Sequence, residues 1–176
     1  LRFAFASCQH YEQGYFGAYR HIVADDPELI VHLGDYIYES PSTRGQVRRH
    51  GAPEPITLDD YRIRHALYKT DPDLQAAHAH CPWLVTWDDH EVENDYADDL
   101  SQNLDARAWF RQRRAAAYRA YYEHMPLRRQ MLPLGHEMRL FHRSSHGGLV
   151  DFHILDDRQY RAAHVCPRPG RGGTNL

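Results

Sequence analysis

Apolar runs alternate with helix-forming segments along the first half of the chain. Three strands are predicted where apolar, β-branched and aromatic residues concentrate, at residues 2–7, 29–33 and 83–87. Helices are predicted between and after the first two of these runs, at residues 17–24, from 57 to 69 and from 71 onward. Thr57 and Asp60 have the spacing of a capping box, and Asp71-Pro72 joins an N-cap residue to a proline that suits the first helical turn. This alternation favours an α/β fold.

The second half opens with a long helix and continues with two strands. Residues 104–124 contain no Gly or Pro, which predicts one helix that ends before Pro126. Two further strands are predicted at 138–143 and 149–155, and the second has the alternation of a half-buried strand. Irregular loops are predicted where Gly, Pro and Arg are frequent, at residues 40–55 and 167–176.

Composition and charge narrow the classes of protein that fit this chain. The hydrophobic fraction of 42% over 176 residues is ordinary for one folded domain. A net charge of −3 argues against nucleic-acid binding as the main task. No apolar run reaches the roughly 18 residues of a membrane-spanning helix. Three cysteines without a CxxC pair indicate neither a zinc ribbon nor a disulfide scaffold, and a disulfide between Cys81 and Cys166 stays open.

Side chains of the kind that bind metals follow each of the first three predicted strands. Cys8 follows the first strand, Asp35 and Tyr38 follow the second, and the run Asp88-Asp89-His90-Glu91 follows the third. Loops at the carboxyl ends of strands converge in open α/β sheets, so we expect these side chains to meet. Carboxylates suit hard cations, whereas a thiolate and a phenolate favour an ion such as iron(III). The sequence therefore predicts a metal site.

Each of these groups also has a purely structural interpretation. A lone cysteine is often a small buried apolar residue, and Gly34-Asp35 is a common turn sequence. Asp88 or Asp89 is a suitable N-cap for a helix that starts after the third strand. The coincidence of three such groups at three strand ends favours the metal site over these alternatives.

Four segments carry a resemblance to a known family: FASCQ at 5–9, GDYIYE at 34–39, WDDHE at 87–91 and LDDRQYR at 155–161. In order and in type they resemble the PhoD family of alkaline phosphatases and phosphodiesterases. The resemblance implies an α/β metallophosphatase fold, a β-sandwich flanked by helices, with residues 1–176 forming the N-terminal half of the catalytic domain. It also implies metal-dependent hydrolysis of phosphate mono- or diesters by an exported protein, with iron(III) and calcium as cofactors.

The resemblance further implies a role for each candidate residue. Cys8 and Tyr38 would bind iron(III), and Asp35 would bridge iron to calcium. Asp89 would be a ligand of the second metal site. His90 would contact the phosphate and assist the leaving group.

The resemblance leaves Arg158 and the remainder of the site open. Arg158 follows the last predicted strand, and contact with phosphate and a structural salt bridge are equal alternatives for it. The family closes its metal site with ligands from later strands, which neither His153 nor His164 is expected to replace. Because the chain also lacks an initiator Met and a signal peptide, we expect it to be part of a longer enzyme. The alternatives are an inactive fragment, a structural metal-binding module, and a di-manganese or di-zinc phosphoesterase.

Other motifs indicate no further chemistry. His90 lacks the second histidine of an HExxH zinc site because residue 94 is Asn. His78 and His80 are two positions apart, so they would not share a helix face. The arginines of the long helix are expected to be solvated on one side of it, with inward packing by Trp109, Phe110 and Tyr118.

Overall fold

Three short parallel strands form the central sheet. The computed structural model describes residues 1–43, 45–163, 165 and 169. The strands are β1 (Phe3–Ala6), β2 (Leu29–His32) and β3 (Trp83–Val85). They pair in that order, with Ile30 of the central strand opposite Ala4 and Trp83. All three lie inside the ranges predicted from the sequence.

Four α-helices accompany the sheet, each in a predicted segment. They are α1 (Ala18–Ala24), α2 (Leu58–Tyr68), α3 (Pro72–His80) and α4 (Arg107–His124). The predicted capping box is present at the start of α2, where Thr57 and Asp60 each accept a hydrogen bond from the other's backbone N–H. The Asp71 side chain caps α3 as predicted, and Pro72 opens that helix.

One face of the sheet carries the hydrophobic core. Ile30 is fully buried on this face, and Trp83 stacks on Tyr19 of α1 and His78 of α3, with ring centroids 5.8 and 3.9 Å apart. Successive strand residues point to opposite faces, and Phe5 on the other face is 69% exposed. The core therefore lies between the sheet and the helices.

Helix α4 differs from the prediction in its first turn and in one aromatic residue. It begins at Arg107 and not at residue 104, because Leu104 has a left-handed φ of 58° that is incompatible with the helix. Phe110 and Tyr118 are fully buried as expected, whereas Trp109 is 39% exposed. Neighbouring helix positions are about 100° apart, so the burial of Phe110 turns Trp109 toward the edge of the packed face.

The expectation that the arginines of α4 are solvated is wrong for two of them. Arg113 and Arg114 are buried. Arg113 pairs with Glu93 at 2.9 Å and with Glu54 at 2.6 Å, and Arg114 pairs with Asp98 at 3.0 Å. A buried guanidinium requires such partners to offset its lost hydration. These arginines are therefore part of the fold and are not available as a nucleic-acid face.

The first strand of the hairpin lies further along the chain than predicted, whereas the second lies inside its predicted range. Its antiparallel strands are β4 (His142–His146) and β5 (Val150–Ile154). The prediction placed its first strand at 138–143 and its connection at 144–148, but the turn centres on Gly147 with a φ of 55° and sets the register. Met138 joins no strand, because the Gln159 side-chain amide bonds both its N–H and its C=O.

Some expectations from the sequence concern residues that the structure leaves out. Cys166 and His164 lie outside the described residues, as does most of 167–176, so the Cys81–Cys166 disulfide and the predicted loop stay predictions. Within the described part of 40–55 the chain has neither helix nor strand, as predicted. No helix among the described residues is long and apolar enough to cross a membrane.

Burial of neutral histidines makes the fold sensitive to acid. Burial, with a contribution from His78, lowers the pKa of His32 to about 3, whereas an unfolded histidine titrates near 6.5. Between pH 6.5 and about pH 3, His32 binds a proton in the unfolded chain but not in the folded chain, so acid favours unfolding. We expect urea denaturation to show a loss of unfolding free energy of up to about 1.4 kcal/mol per pH unit from this group.

Two variants separate His32 from the other histidines in this experiment. His32→Asn keeps an acceptor for the Gly34 N–H, which His32 Nδ1 accepts at 3.3 Å, and cannot titrate. It should lose less stability between pH 7 and pH 5 than the original protein. His153→Gln, at an exposed position of β5, should leave the pH dependence unchanged. An unchanged slope in His32→Asn would contradict the assignment.

Candidate metal centre

The loops that follow β1 and β2 remain paired beyond the strands. The N–H of Cys8 donates to the carbonyl of Gly34, and the N–H of Gln9 donates to the carbonyl of Asp35, both at 3.1 Å. Cys8 and Asp35 have left-handed φ values of 57° and 54°. The extended backbone of both loops therefore ends at these two neighbouring positions. Both side chains therefore lie at the carboxyl edge of the sheet, as predicted.

The loop after β3 touches the loop after β2 at a glycine. Gly34 has a φ of +107°, and a Cβ at this position would lie 2.4 Å from the backbone nitrogen of Asp88. Only glycine combines this φ with such a close backbone contact. The turn interpretation of Gly34-Asp35 is thus correct, and the turn also brings two of the strand-end loops into contact.

A buried carboxylate bonds these two loops to each other. Glu91, which is 1% exposed, accepts hydrogen bonds from the N–H groups of Asp35, Tyr36 and Asp88 at 3.2, 2.6 and 2.9 Å. Burial and the charge of Asp35 raise the pKa of Glu91, against the opposing effect of these donors. No helix starts at Asp88 or Asp89, and the chain forms a turn at residues 90–92. The N-cap interpretation of these residues is therefore wrong.

Cys8, Asp35 and Tyr38 meet at this edge. The Tyr38 hydroxyl donates to Asp35 Oδ2 at 3.0 Å, and the Cys8 thiol lies close enough to both residues for them to shift its pKa. Burial raises the pKa of Cys8, and burial together with the charge of Asp35 raises the pKa of Tyr38. Burial also raises the pKa of Asp35, and the nearby Asp89 carboxylate adds to this rise. The thiol and the phenol would give up their protons when they bind a metal ion.

Asp89 and His90 lie beside this group. A carboxylate oxygen of Asp35, one of Asp89 and a ring nitrogen of His90 all lie within 4.8 Å of one another. Asp35 Oδ1 is buried and has no hydrogen-bond partner in the described part of the chain. A buried acceptor without a partner costs on the order of 1–3 kcal/mol, and a cation bound by these oxygens would remove that cost. The donor set therefore fits a metal ion at this place.

The surroundings of Asp89 and His90 fix both side chains. Asp89 Oδ2 accepts the N–H of Asp95 at 2.6 Å. His90 Nδ1 lies 2.7 Å from Glu39 Oε2, and the His90 ring packs on Tyr38 with centroids 4.2 Å apart. Burial lowers the pKa of His90, but the hydrogen bond and charge of Glu39, with Asp89 and Asp35, raise it to about 9. The surrounding carboxylates thus favour the protonated form of His90.

Comparison with known proteins assigns this chain to a family. The family model of the PhoD-like phosphatases matches residues 3–175. The chain belongs to the PhoD-like phosphatase family. It is 54% identical over 166 residues to alkaline phosphatase D of Bacillus subtilis (strain 168), an overlap of 92% of this chain and 28% of that relative. The resemblance carried by the four sequence segments is confirmed.

A solved structure described as the structure of PhoD has the same fold as this PhoD-like chain. The two superpose with a TM-score of 0.88 at 55% sequence identity, over 91% of this chain and 32% of that one. The expected α/β class is confirmed. The chain spans less than a third of the length of either relative.

In this PhoD-like chain Arg158 forms ion pairs with the loop after β3. Its Nε donates to Asp88 Oδ1, and its Nη2 lies 3.6 Å from Asp89 Oδ1. Asp156 links the segment around Arg158 to the end of β3. It accepts the backbone N–H of Arg158 at 3.2 Å and the indole N–H of Trp87 at 3.0 Å. Nη1 of Arg158 is buried and has no partner among the residues described. The salt bridge is present, and one guanidinium nitrogen remains for a further ligand.

Two acidic residues of this PhoD-like site received no individual role in the sequence analysis. Glu91 and Glu39 both stand in the recognised segments, but Tyr36, which bonds to Glu91, and His90, which bonds to Glu39, lie more than 50 positions from them in the chain, so spacing could not assign these contacts. For Glu39 the one signal was an acidic residue directly after the run Tyr36-Ile37-Tyr38. Asn94, for which the sequence suggested no role, donates its backbone N–H to Glu39 at 3.0 Å. His78 stacks on Trp83, away from the site.

Gly34 gives a direct test of the contact between the loops. Gly34→Ala should lower the free energy of unfolding by about 2–4 kcal/mol, because the alanine would combine backbone strain with a clash against Asp88. Urea denaturation measures this loss. Gly14→Ala is the matched control, since its φ of 172° is ordinary extended backbone and nothing lies within 4 Å of an added Cβ. Equal stability of the two variants would contradict the close contact.

Proposed function

We propose that this chain carries part of the active site of an enzyme that hydrolyses phosphate mono- or diesters with bound metal ions. The observation that carries the proposal is the cluster of Asp35, Asp89 and His90 beside Tyr38 and Cys8, in which one buried oxygen of Asp35 has no partner in the described chain. Membership of the PhoD-like phosphatase family supports the same reaction class. Because the chain spans 28% of its curated relative, the activity is proposed for the protein that contains it.

The donor types support a specific pair of ions. Cys8 and Tyr38 would hold iron(III), since a thiolate and a phenolate favour that ion over calcium. Asp35 has two oxygens and would bridge iron to calcium, and Asp89 would hold the calcium. Bound ions would neutralise charge on the phosphoryl oxygens and lower the pKa of water. Burial raises the pKa of Asp35 and the nearby carboxylates of Asp89 and Asp88 add to the rise, which supports a need for cations here.

His90 and Arg158 are proposed to act on the phosphate ester itself. His90 is held against carboxylates and would donate a proton to the departing oxygen of the ester. Arg158 is anchored by Asp88 and Asp89, and its free Nη1 would donate to a phosphate oxygen. We also propose that the protein is exported, a proposal that family membership alone supports.

Metal analysis tests the proposed ligands directly. We expect the purified protein to contain iron and calcium, measured by elemental analysis. Cys8→Ala and Tyr38→Phe should lose iron. The first removes the thiolate ligand of the iron and the second removes its phenolate ligand. Cys81→Ala, which removes the other cysteine of the described chain, should keep it. Zinc or manganese without iron would contradict the iron assignment, and a metal-free protein would contradict the metal centre.

Asp35→Asn separates loss of chemistry from loss of fold. Hydrolysis of 4-nitrophenyl phosphate and bis(4-nitrophenyl) phosphate should fall to background, because the amide cannot bridge two cations. The metal-free variant should unfold at a higher urea concentration than the metal-free original. Since the pKa of Asp35 is raised in the fold, its ionised form destabilises the metal-free protein near neutral pH. Asp59→Asn, on an exposed residue of α2, is the control, and activity retained in Asp35→Asn would remove Asp35 from the site.

A further inference from the structure

Glu39 is a buried carboxylate whose two oxygens are both engaged beside the candidate metal centre. It is 2% exposed. Oε2 lies 2.7 Å from His90 Nδ1, and Oε1 accepts the backbone N–H of Asn94 at 3.0 Å. The carboxylate therefore has one oxygen fixed by the backbone of the β3 loop and presents the other to the His90 ring.

The surroundings leave this pair little freedom. Arg64, itself 2% exposed, donates to the backbone carbonyls of Tyr38 and Glu39 and fixes the chain from which Glu39 projects. The Tyr38 ring packs against the rings of His90 and His10, with centroid distances of 4.2 and 4.4 Å and tilts of 30° and 33°. The contact with Tyr38 and the hydrogen bond to Glu39 both restrain the orientation of the His90 ring.

We propose that Glu39 is a positioning residue. It accepts a hydrogen bond from Nδ1 of His90 and so orients the ring with Nε2 free to donate its proton to the leaving group. This inference rests on the proposed function and adds a residue to it. A carboxylate only accepts hydrogen bonds, so the nitrogen that faces it carries a proton. In the step served, a water oxygen bonds to phosphorus and releases a proton to solvent, while the bond from phosphorus to the ester oxygen breaks. The ester oxygen takes the Nε2 proton and leaves as an alcohol, and His90 keeps the proton on Nδ1.

The fixed partner of Oε1 makes glutamine an informative replacement. In Glu39→Gln the Asn94 N–H selects the amide oxygen of the new side chain, which turns the amide nitrogen toward His90 Nδ1. An amide nitrogen donates and does not accept. The hydrogen bond to His90 is then reversed, although the volume of the side chain is kept. Glu39→Gln therefore changes the direction of one hydrogen bond with little change in packing.

The test compares leaving groups in the metal-loaded protein. A 4-nitrophenyl ester departs without a proton, whereas an alkyl ester of the same phosphate needs one. General acid catalysis contributes on the order of 10²–10⁴-fold, so we expect Glu39→Gln to lower kcat for the alkyl ester by about 10-fold or more. For the 4-nitrophenyl ester kcat should change by less than about 3-fold, with KM for both esters within about 2-fold. Elemental analysis should find the same metals as in the original protein.

The matched control is Glu93→Gln. Glu93 is buried to the same extent as Glu39 and lies in the same loop as His90, but its carboxylate pairs with Arg113 at 2.9 Å. This variant should lose stability and keep the ratio of the two kcat values. An equal fall for both esters in Glu39→Gln would mean a merely structural role and would overturn the proposal.

A second variant separates this inference from the function on which it rests. His90→Asn should show the same dependence on the leaving group, and the double variant should be no worse than His90→Asn alone. If His90→Asn depends on the leaving group and Glu39→Gln does not, the role of Glu39 is wrong and the proposed role of His90 stands. If neither variant depends on the leaving group, the proposed role of His90 is wrong, and so is the role of Glu39 that rests on it.

A readout without catalysis tests the hydrogen bond itself. The Nδ1 proton of His90, bonded to a buried carboxylate, should give a resolved downfield signal in the proton spectrum of the metal-free chain. The signal should disappear in Glu39→Ala and persist in Glu93→Gln. Its presence in Glu39→Ala would show that Glu39 does not hold the His90 ring, whatever the activity.

Discussion

A single carboxylate holds together the two loops that carry most of the candidate metal centre. Glu91 accepts the N–H groups of Asp35 and Tyr36 from one loop and of Asp88 from the other. These amides lie just beyond the paired strands, where the backbone loses its ladder partners. A buried N–H without a partner costs on the order of 1–3 kcal/mol, and Glu91 satisfies three. The backbone contact at Gly34 and the positions of the ligand side chains depend on this arrangement.

The second constraint is the charge that these loops bring together. The carboxylates of Asp35, Asp88 and Asp89 lie at one edge of the sheet, and Arg158 and His90 compensate part of their charge. The compensation is incomplete, since one buried oxygen of Asp35 has no partner among the residues described, and burial together with the Asp89 carboxylate raises the pKa of Asp35. A fold that gathers negative charge without a buried partner gains stability when a cation binds. Metal binding and the order of the loops are thus expected to be one equilibrium.

The sequence predicted those features that depend on neighbours in the chain. The capping box at Thr57 and the cap at Asp71 are local, and the strand ends were visible as polar residues after apolar runs. Features that depend on distant partners were missed. Met138 has the pattern of a strand but bonds to the side chain of Gln159. Arg113 has the helix position of a solvated residue, and only its partner Glu93 explains its burial. The roles of the two site glutamates likewise depend on partners more than 50 positions away.

The shared acceptor on Glu91 has a consequence for how the loops open. The amide protons of Asp35, Tyr36 and Asp88 belong to two separate loops, yet one side chain protects all three from solvent. Loss of that side chain from its position would expose the three together, so their exchange with deuterium should follow a single opening event. Two loops more than 50 residues apart would then open as one cooperative unit, because the hydrogen bonds of Glu91 join them.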